Sequence, residues 1–190
     1  MKIQKTYMDF LESIENPPKV IIEAMKLGRE NTNEVWGPKS NTVILALAKE
    51  AGLSWQQYNS DETPWCAIAE TVVDLRAGKV VPFTGYARER ANSFVEFGDH
   101  VDVPMLGDTC IFFRYDAHGK LIGYHVGKYI AEDATHYHIV GGNQSNQYNV
   151  VRIDKKRLKE ARRPVYSIAQ PESVKRYFWS ATGEVSTNES

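Results

Sequence analysis

The sequence predicts an α+β domain, with N-terminal helices packed on one side of a C-terminal antiparallel sheet. Apolar residues recur at helical spacing as far as about residue 78. Beyond residue 108 the texture turns to short β-branched and aromatic runs separated by Gly, Asp and Asn. Size and composition agree: 190 residues, 42% hydrophobic and 25% charged, suffice for one real core and fit a globular chain rather than a disordered one.

Taken in order, residues 1–17 are amphipathic and close at Pro17-Pro18, which predicts a short helical arm ahead of a single domain at 18–170. VIIEAMKLGRE, from Val20, carries a second helix. SNTVILALAKEAG carries a third, with Ser40 or Asn41 as its cap and Gly52 as its stop. A fourth begins near Thr63 and runs to about Gly78. DTCIFFRY, GYHVGKYIAED, HYHIVGGNQ, YNVVRID and PVYSIAQ then read as strands. Residues 171–190, ending in TGEVSTNES, read as a polar, frayed tail. The chain shows no internal repeat and no linker long enough to divide it.

Bulk properties exclude several functions. A net charge of −1 argues against an electrostatic nucleic-acid binder. The one basic run, Arg152 to Pro164, reads as the solvated surface of a helix or strand; the alternative is a patch that meets an anionic polymer. No apolar stretch approaches the ~20 residues of a membrane span, and the N-terminus lacks the apolar core of a secretory signal. A cytoplasmic protein without membrane insertion is expected. Cys66 and Cys110 give no disulfide framework, and no Cys/His spacing resembles a zinc site.

Chemistry concentrates in DETPWCAIAE, Asp61 to Glu70. Thr63 is a good N-cap, and Pro64 then falls at the first helical position, where its missing N–H costs nothing. Cys66 lies in the first turn, where the helix dipole and unpaired backbone N–H groups favour a thiolate and can hold an oxyanion. The competing reading is a small buried hydrophobe, and this geometry alone does not choose between the two. Cys110, mid-strand between apolar neighbours, reads as inert core.

A nucleophilic cysteine needs a histidine and a group to orient it. His100 and His118 sit in turn-like stretches and read as surface residues, and His136 and His138 alternate in a strand with solvent exposure expected. His125, in GYHVGKY, lies within a strand among small and apolar residues, so it is either hydrogen-bonded core or a site residue. A hairpin centred on Ala134 sets His125 opposite Asn143, with Cβ atoms ~5 Å apart on one face. A one-residue slip substitutes Gln144 or Gly142. Asn143 is therefore preferred as the third group and Gln144 second, beside the plain reading of GGN as a turn.

These pieces together resemble the phage and prophage cysteine peptidoglycan hydrolases of the CHAP and NlpC type. The order is a helical segment ending near WGPKSN, then PWCA, a GYARERANSF helix, Gly107-Asp108 before a strand, the histidine strand, GGNQSN and a closing ARRP. The resemblance covers roughly residues 18–166, with PWCA and GGNQSN its more specific motifs. It implies a papain-like fold, Cys66 as nucleophile, His125 as general base and then acid, and Asn143 as orienting group, with Gln144 open as the third residue. Where the family often reads G-H-V-G, Tyr124 intervenes between Gly123 and His125.

The implied reaction is cleavage of a cell-wall amide, either N-acetylmuramoyl-L-alanine or a bond within the stem peptide. The oxyanion would be held by the Cys66 N–H and a donor from Asn59, Ser60 or Asp61, and Trp65 and Tyr124 are candidate groove walls or ordinary aromatic core. Some relatives bind calcium through clustered aspartates. No D-x-D-x-D loop occurs here, so no metal and no cofactor is expected. The expectation is a monomeric endolysin that acts on peptidoglycan once the inner membrane is breached. The alternatives are an injected toxin with an immunity partner, a non-catalytic wall-binding module of the same fold, and another acyl transfer by the same three residues.

Overall fold

The computed structural model describes residues 3–35, 39–180 and 185–186. Four helices come first: α1 Lys5–Glu12, α2 Lys19–Leu27, α3 Thr42–Glu50 and α4 Cys66–Arg76. Two 3-10 segments follow, Gly85–Glu89 and Ala91–Glu96. The strands are β1 Asp99–His100, β2 Thr109–Tyr115, β3 Leu121–Glu132, β4 His136–Gly141, β5 Asn149–Asp154 and β6 Leu158–Arg163. They form one antiparallel sheet in the order β1-β6-β2-β3-β4-β5. The expected α+β architecture is therefore observed: N-terminal helices packed against a C-terminal six-stranded antiparallel sheet. No described helix is long and apolar enough to cross a membrane.

Local chemistry explains the boundaries. Asn41 caps α3, its side-chain oxygen accepting from Val43 N–H at 2.8 Å, as one of the two expected caps. On the helix side of the sheet, Ile130, Val140 and Val150 join Ile68, Val72 and Val73 of α4 in the main core. Cys110, Phe112, Tyr129, Ile139 and Ile153 form a separate apolar cluster, which is why Cys110 is inert: burial pushes its thiol far above the ordinary value.

One polar device fixes α4 over the sheet. Glu70 and Asp74 lie one helical turn apart and both meet Lys128 of β3, at 2.9 and 2.7 Å, with all three side chains buried. Thr109 of β2 completes the cluster, accepting from Lys128 and donating to Glu70. Burial holds the Asp74 carboxyl up at about 7, against the downward pull of Lys128. Because Cys66 begins the same helix one turn before Glu70, this cluster also sets the position of the thiol.

Several expectations need correction. PVYSIAQ is not a strand: β6 already pairs with β1, Pro164 has no N–H for a ladder, and Val165 C=O accepts from Lys79 instead. The missing strand lies inside the basic run, as β6. Its arginines fasten neighbouring loops, Arg163 to Asp108 and Arg162 to the carbonyls of Phe97 and Gly98. GYARERANSF is two 3-10 segments rather than a helix. The described part of the tail is anchored, not frayed, since Glu132 N–H donates to Tyr177 and Trp179 N–H donates to Glu132. His138 is buried where exposure was expected, because α1 and this tail cover it: Tyr7 Oη lies 3.2 Å from its Nδ1 and Trp179 packs beside it. WGP of the WGPKSN motif and most of TGEVSTNES lie outside the described residues.

Candidate functional site

Helix α4 begins at Cys66 itself, not at Thr63–Pro64. Trp65 occupies the cap position with non-helical backbone, φ −120° and ψ 12°, and two bonds hold it there. Its backbone N–H donates to Asn143 Oδ1 at 3.2 Å, and its indole N–H donates to Glu34 Oε1 at 2.8 Å. The first helical turn closes with Ala69 N–H on Trp65 C=O. Cys66 is thus the first helical residue, where N–H groups lack an acceptor within the helix and the dipole is positive.

The loop after β4 connects this helix start to the histidine. Gly142 sits directly on α4: a Cβ there would stand 2.7 Å from both the Trp65 ring and the Ala69 side chain, so only glycine permits this approach. Asn143, Ser145 and Asn146 follow with φ near +58°, +55° and +58°, a left-handed run that ends the strand sharply. Asn143 turns toward α4, accepting from Trp65 and donating to Glu34 Oε1 at 2.7 Å. Gln144 turns the other way, and its Oε1 lies 2.9 Å from His125 Nε2.

Next to the turn the hairpin is one residue off the expected centre, with Glu132 paired to Tyr137 and Ala131 to His138. A register shift between Tyr129 and Ala131 then restores the expected register, with Tyr129 paired to Ile139 and Lys128 to Val140. Extrapolating that register to Asn143 fails because β4 stops at Gly141 and the left-handed residues redirect the chain. The hydrogen-bond partner of His125 is therefore Gln144, second in the sequence ranking, while Asn143 supports the helix start.

Gln144 also fixes the histidine tautomer. Its Nε2 donates to the carbonyls of Ile139 and Asn149, at 3.1 and 2.5 Å, which leaves only Oε1 for the ring. An acceptor at that position requires the proton on His125 Nε2, so in the neutral ring Nδ1 is the basic nitrogen. His125 and Gln144 are both fully buried. Cys66 shares an apolar cluster with Val126, the residue after His125, and Tyr124, the residue before it, packs on that cluster.

The remaining candidates separate. Trp65 is fully buried and is core rather than a groove wall. Tyr124 is half-buried, with the Lys159 ammonium 4.4 Å over its ring. Asp61 is a fastener: its Oδ2 accepts from Val35 N–H at 3.0 Å and Asn41 N–H at 2.8 Å, tying the chain on either side of residues 36–38. Glu34 went unnoticed in the sequence, where an isolated glutamate in a polar stretch carries no signal. Burial raises its carboxyl above the ordinary range, although the Trp65 hydrogen bond opposes that. Among the described residues, no group of three or more His, Cys, Asp or Glu could hold a metal ion.

No protein-family model, curated protein or solved structure matches the chain.

Proposed function

We propose that the protein is a cysteine amidase or endopeptidase of papain-like architecture that cleaves an amide of bacterial peptidoglycan. One observation carries the reading: loop 142–144 fastens the start of the Cys66 helix with one residue and orients His125 with the next. A structural cysteine and a structural histidine need no such shared loop. The ordered resemblance of PWCA, the histidine strand and GGNQSN to CHAP and NlpC hydrolases supplies the substrate class.

In the proposed reaction His125 Nδ1 takes the Cys66 thiol proton, and the thiolate forms a bond to the amide carbonyl carbon. Charge on the carbonyl oxygen meets the N–H groups of the first turn of α4. The carbon–nitrogen bond then breaks as His125 returns the proton to the departing amine. Water, activated by the same Nδ1, hydrolyses the thioester and releases the thiol. Gln144 holds the ring through Nε2 throughout.

Digestion of purified sacculi, followed by mass spectrometry of the fragments, tests this. The wild type is expected to release stem-peptide or muramoyl-amide products, and Cys66→Ala to release none while melting at the same temperature. Equal lysis by Cys66→Ala would refute the thiol mechanism.

A further inference from the structure

A recess of about 680 Å³ opens at the end of α4 remote from Cys66, between residues 77–80, the start of α2 and residues 165–168. Its size falls within the roughly 300–1,000 Å³ of small-molecule sites. Phe97 and Ile22 are apolar walls, and Val80, Val165 and Ile168 line it as exposed apolar side chains. Such a convergence marks surface that meets a ligand rather than water alone. Two ammonium groups, Lys19 and Lys79, line the same recess, and no acidic residue does. Lys79 is held in place: its Nζ lies 4.0 Å over the Tyr166 ring and donates to Val165 C=O at 2.8 Å. Among the described residues neither lysine has an ion-pair partner. Burial lowers the Lys79 pKa, and Asp74 opposes this from the core, where its carboxyl already serves Lys128. The like charges of Lys128 and Lys19 add to the lowering.

We propose that this recess binds a free medium-chain carboxylate, with its head against the two ammonium groups and its chain along the apolar walls. Charge and shape together select that class. An inorganic anion would leave the apolar walls in water, and a neutral hydrocarbon would desolvate Lys79 further without supplying an anion. A recess encloses a single chain, whereas insertion into a bilayer takes an apolar face that lies in the interface plane. The free acid, not a membrane lipid, is therefore the occupant. The recess is separate from the Cys66 site and would hold its ligand whether or not the chain cleaves the wall.

Titration calorimetry of the full chain with decanoate, octanoate and decanol tests this. Saturable binding of one decanoate per chain is expected, with octanoate weaker on the order of tenfold for its two missing methylenes. Decanol has the same chain without the charge and should bind at least about tenfold more weakly than decanoate. Lys79→Met should weaken decanoate by a similar factor and leave decanol unchanged, while Lys79→Arg should largely keep both. Ile168→Glu, at an exposed position, should weaken decanoate by repulsion without a fall in melting temperature. Cys66→Ala should bind like the wild type, so failure of wall hydrolysis reads separately from failure of this site. Three results overturn the proposal: no saturable binding at millimolar decanoate, equal wild-type affinity for decanoate and decanol, or binding to phosphatidylglycerol vesicles but not to free decanoate.

Discussion

Gln144 uses both halves of its amide, donating to two backbone carbonyls and presenting its oxygen to His125 Nε2. Gln144→Ala removes the acceptor that sets the tautomer and leaves the Ile139 and Asn149 carbonyls short of a donor. It is expected to slow single-turnover acylation by about 10²-fold or more and to cost roughly 1–3 kcal/mol in denaturant unfolding. Asn143→Ala keeps the His125 partner and loses the bonds to Trp65 and Glu34, so its effect on acylation should be the smaller. A larger loss in Asn143→Ala would sink the assignment of roles. At this scale the sequence was legible for GGNQ as the source of the group that meets His125. The choice between Asn143 and Gln144 was hidden, because hairpin arithmetic assumes a ladder that continues. Three non-glycine residues in left-handed backbone end it, and alternation carries no sign of them.

Elements were legible where their pattern was local, and obscured where a distant segment decided their fate. The amphipathic arm predicted α1, and its apolar face is indeed buried through Tyr7 and Leu11. What it covers depends on tail residues more than a hundred and fifty positions later in the chain, so His138 read as exposed. β6 was masked by its charges: only Ala161 turns fully inward, and the flanking arginines hide the strand period. The arm's docking makes a pH prediction. Burial lowers the His138 pKa, with Asp133 partly opposing, so the folded ring stays neutral while the unfolded ring takes a proton as pH falls through about 6.5. Stability from this group is full above the unfolded value and is lost as pH falls toward the folded one. Between about pH 7 and 5, the wild type should lose more stability in urea unfolding than His138→Gln. Titrating groups that do not touch His138 are common to both proteins and cancel in the difference. Asp133, which does touch it, is held well below the ordinary carboxylate range and so titrates below this window. Parallel profiles would remove His138 as the cause.

Across the whole molecule, the helical layer and the sheet are locked together by the buried Lys128–Glu70–Asp74 cluster. Apolar packing sets the axial position of a helix on a sheet through shape alone, whereas three buried polar side chains joined by short bonds add a directional constraint that one axial position satisfies. The cluster therefore governs stability and the placement of Cys66 together. Lys128→Met leaves two buried carboxylates without their cation and is expected to destabilise the chain by about 3–5 kcal/mol, with a matching fall in melting temperature. Replacing all three by apolar residues of similar volume removes the uncompensated charge, so the triple variant should recover most of that loss. Its activity then isolates position from stability. A triple variant that melts like the wild type but cleaves the wall more slowly shows that the ion cluster holds the thiol in register. Equal activity would mean that packing around Ile68, Val72 and Val73 suffices, and the cluster would then contribute specificity of fold alone.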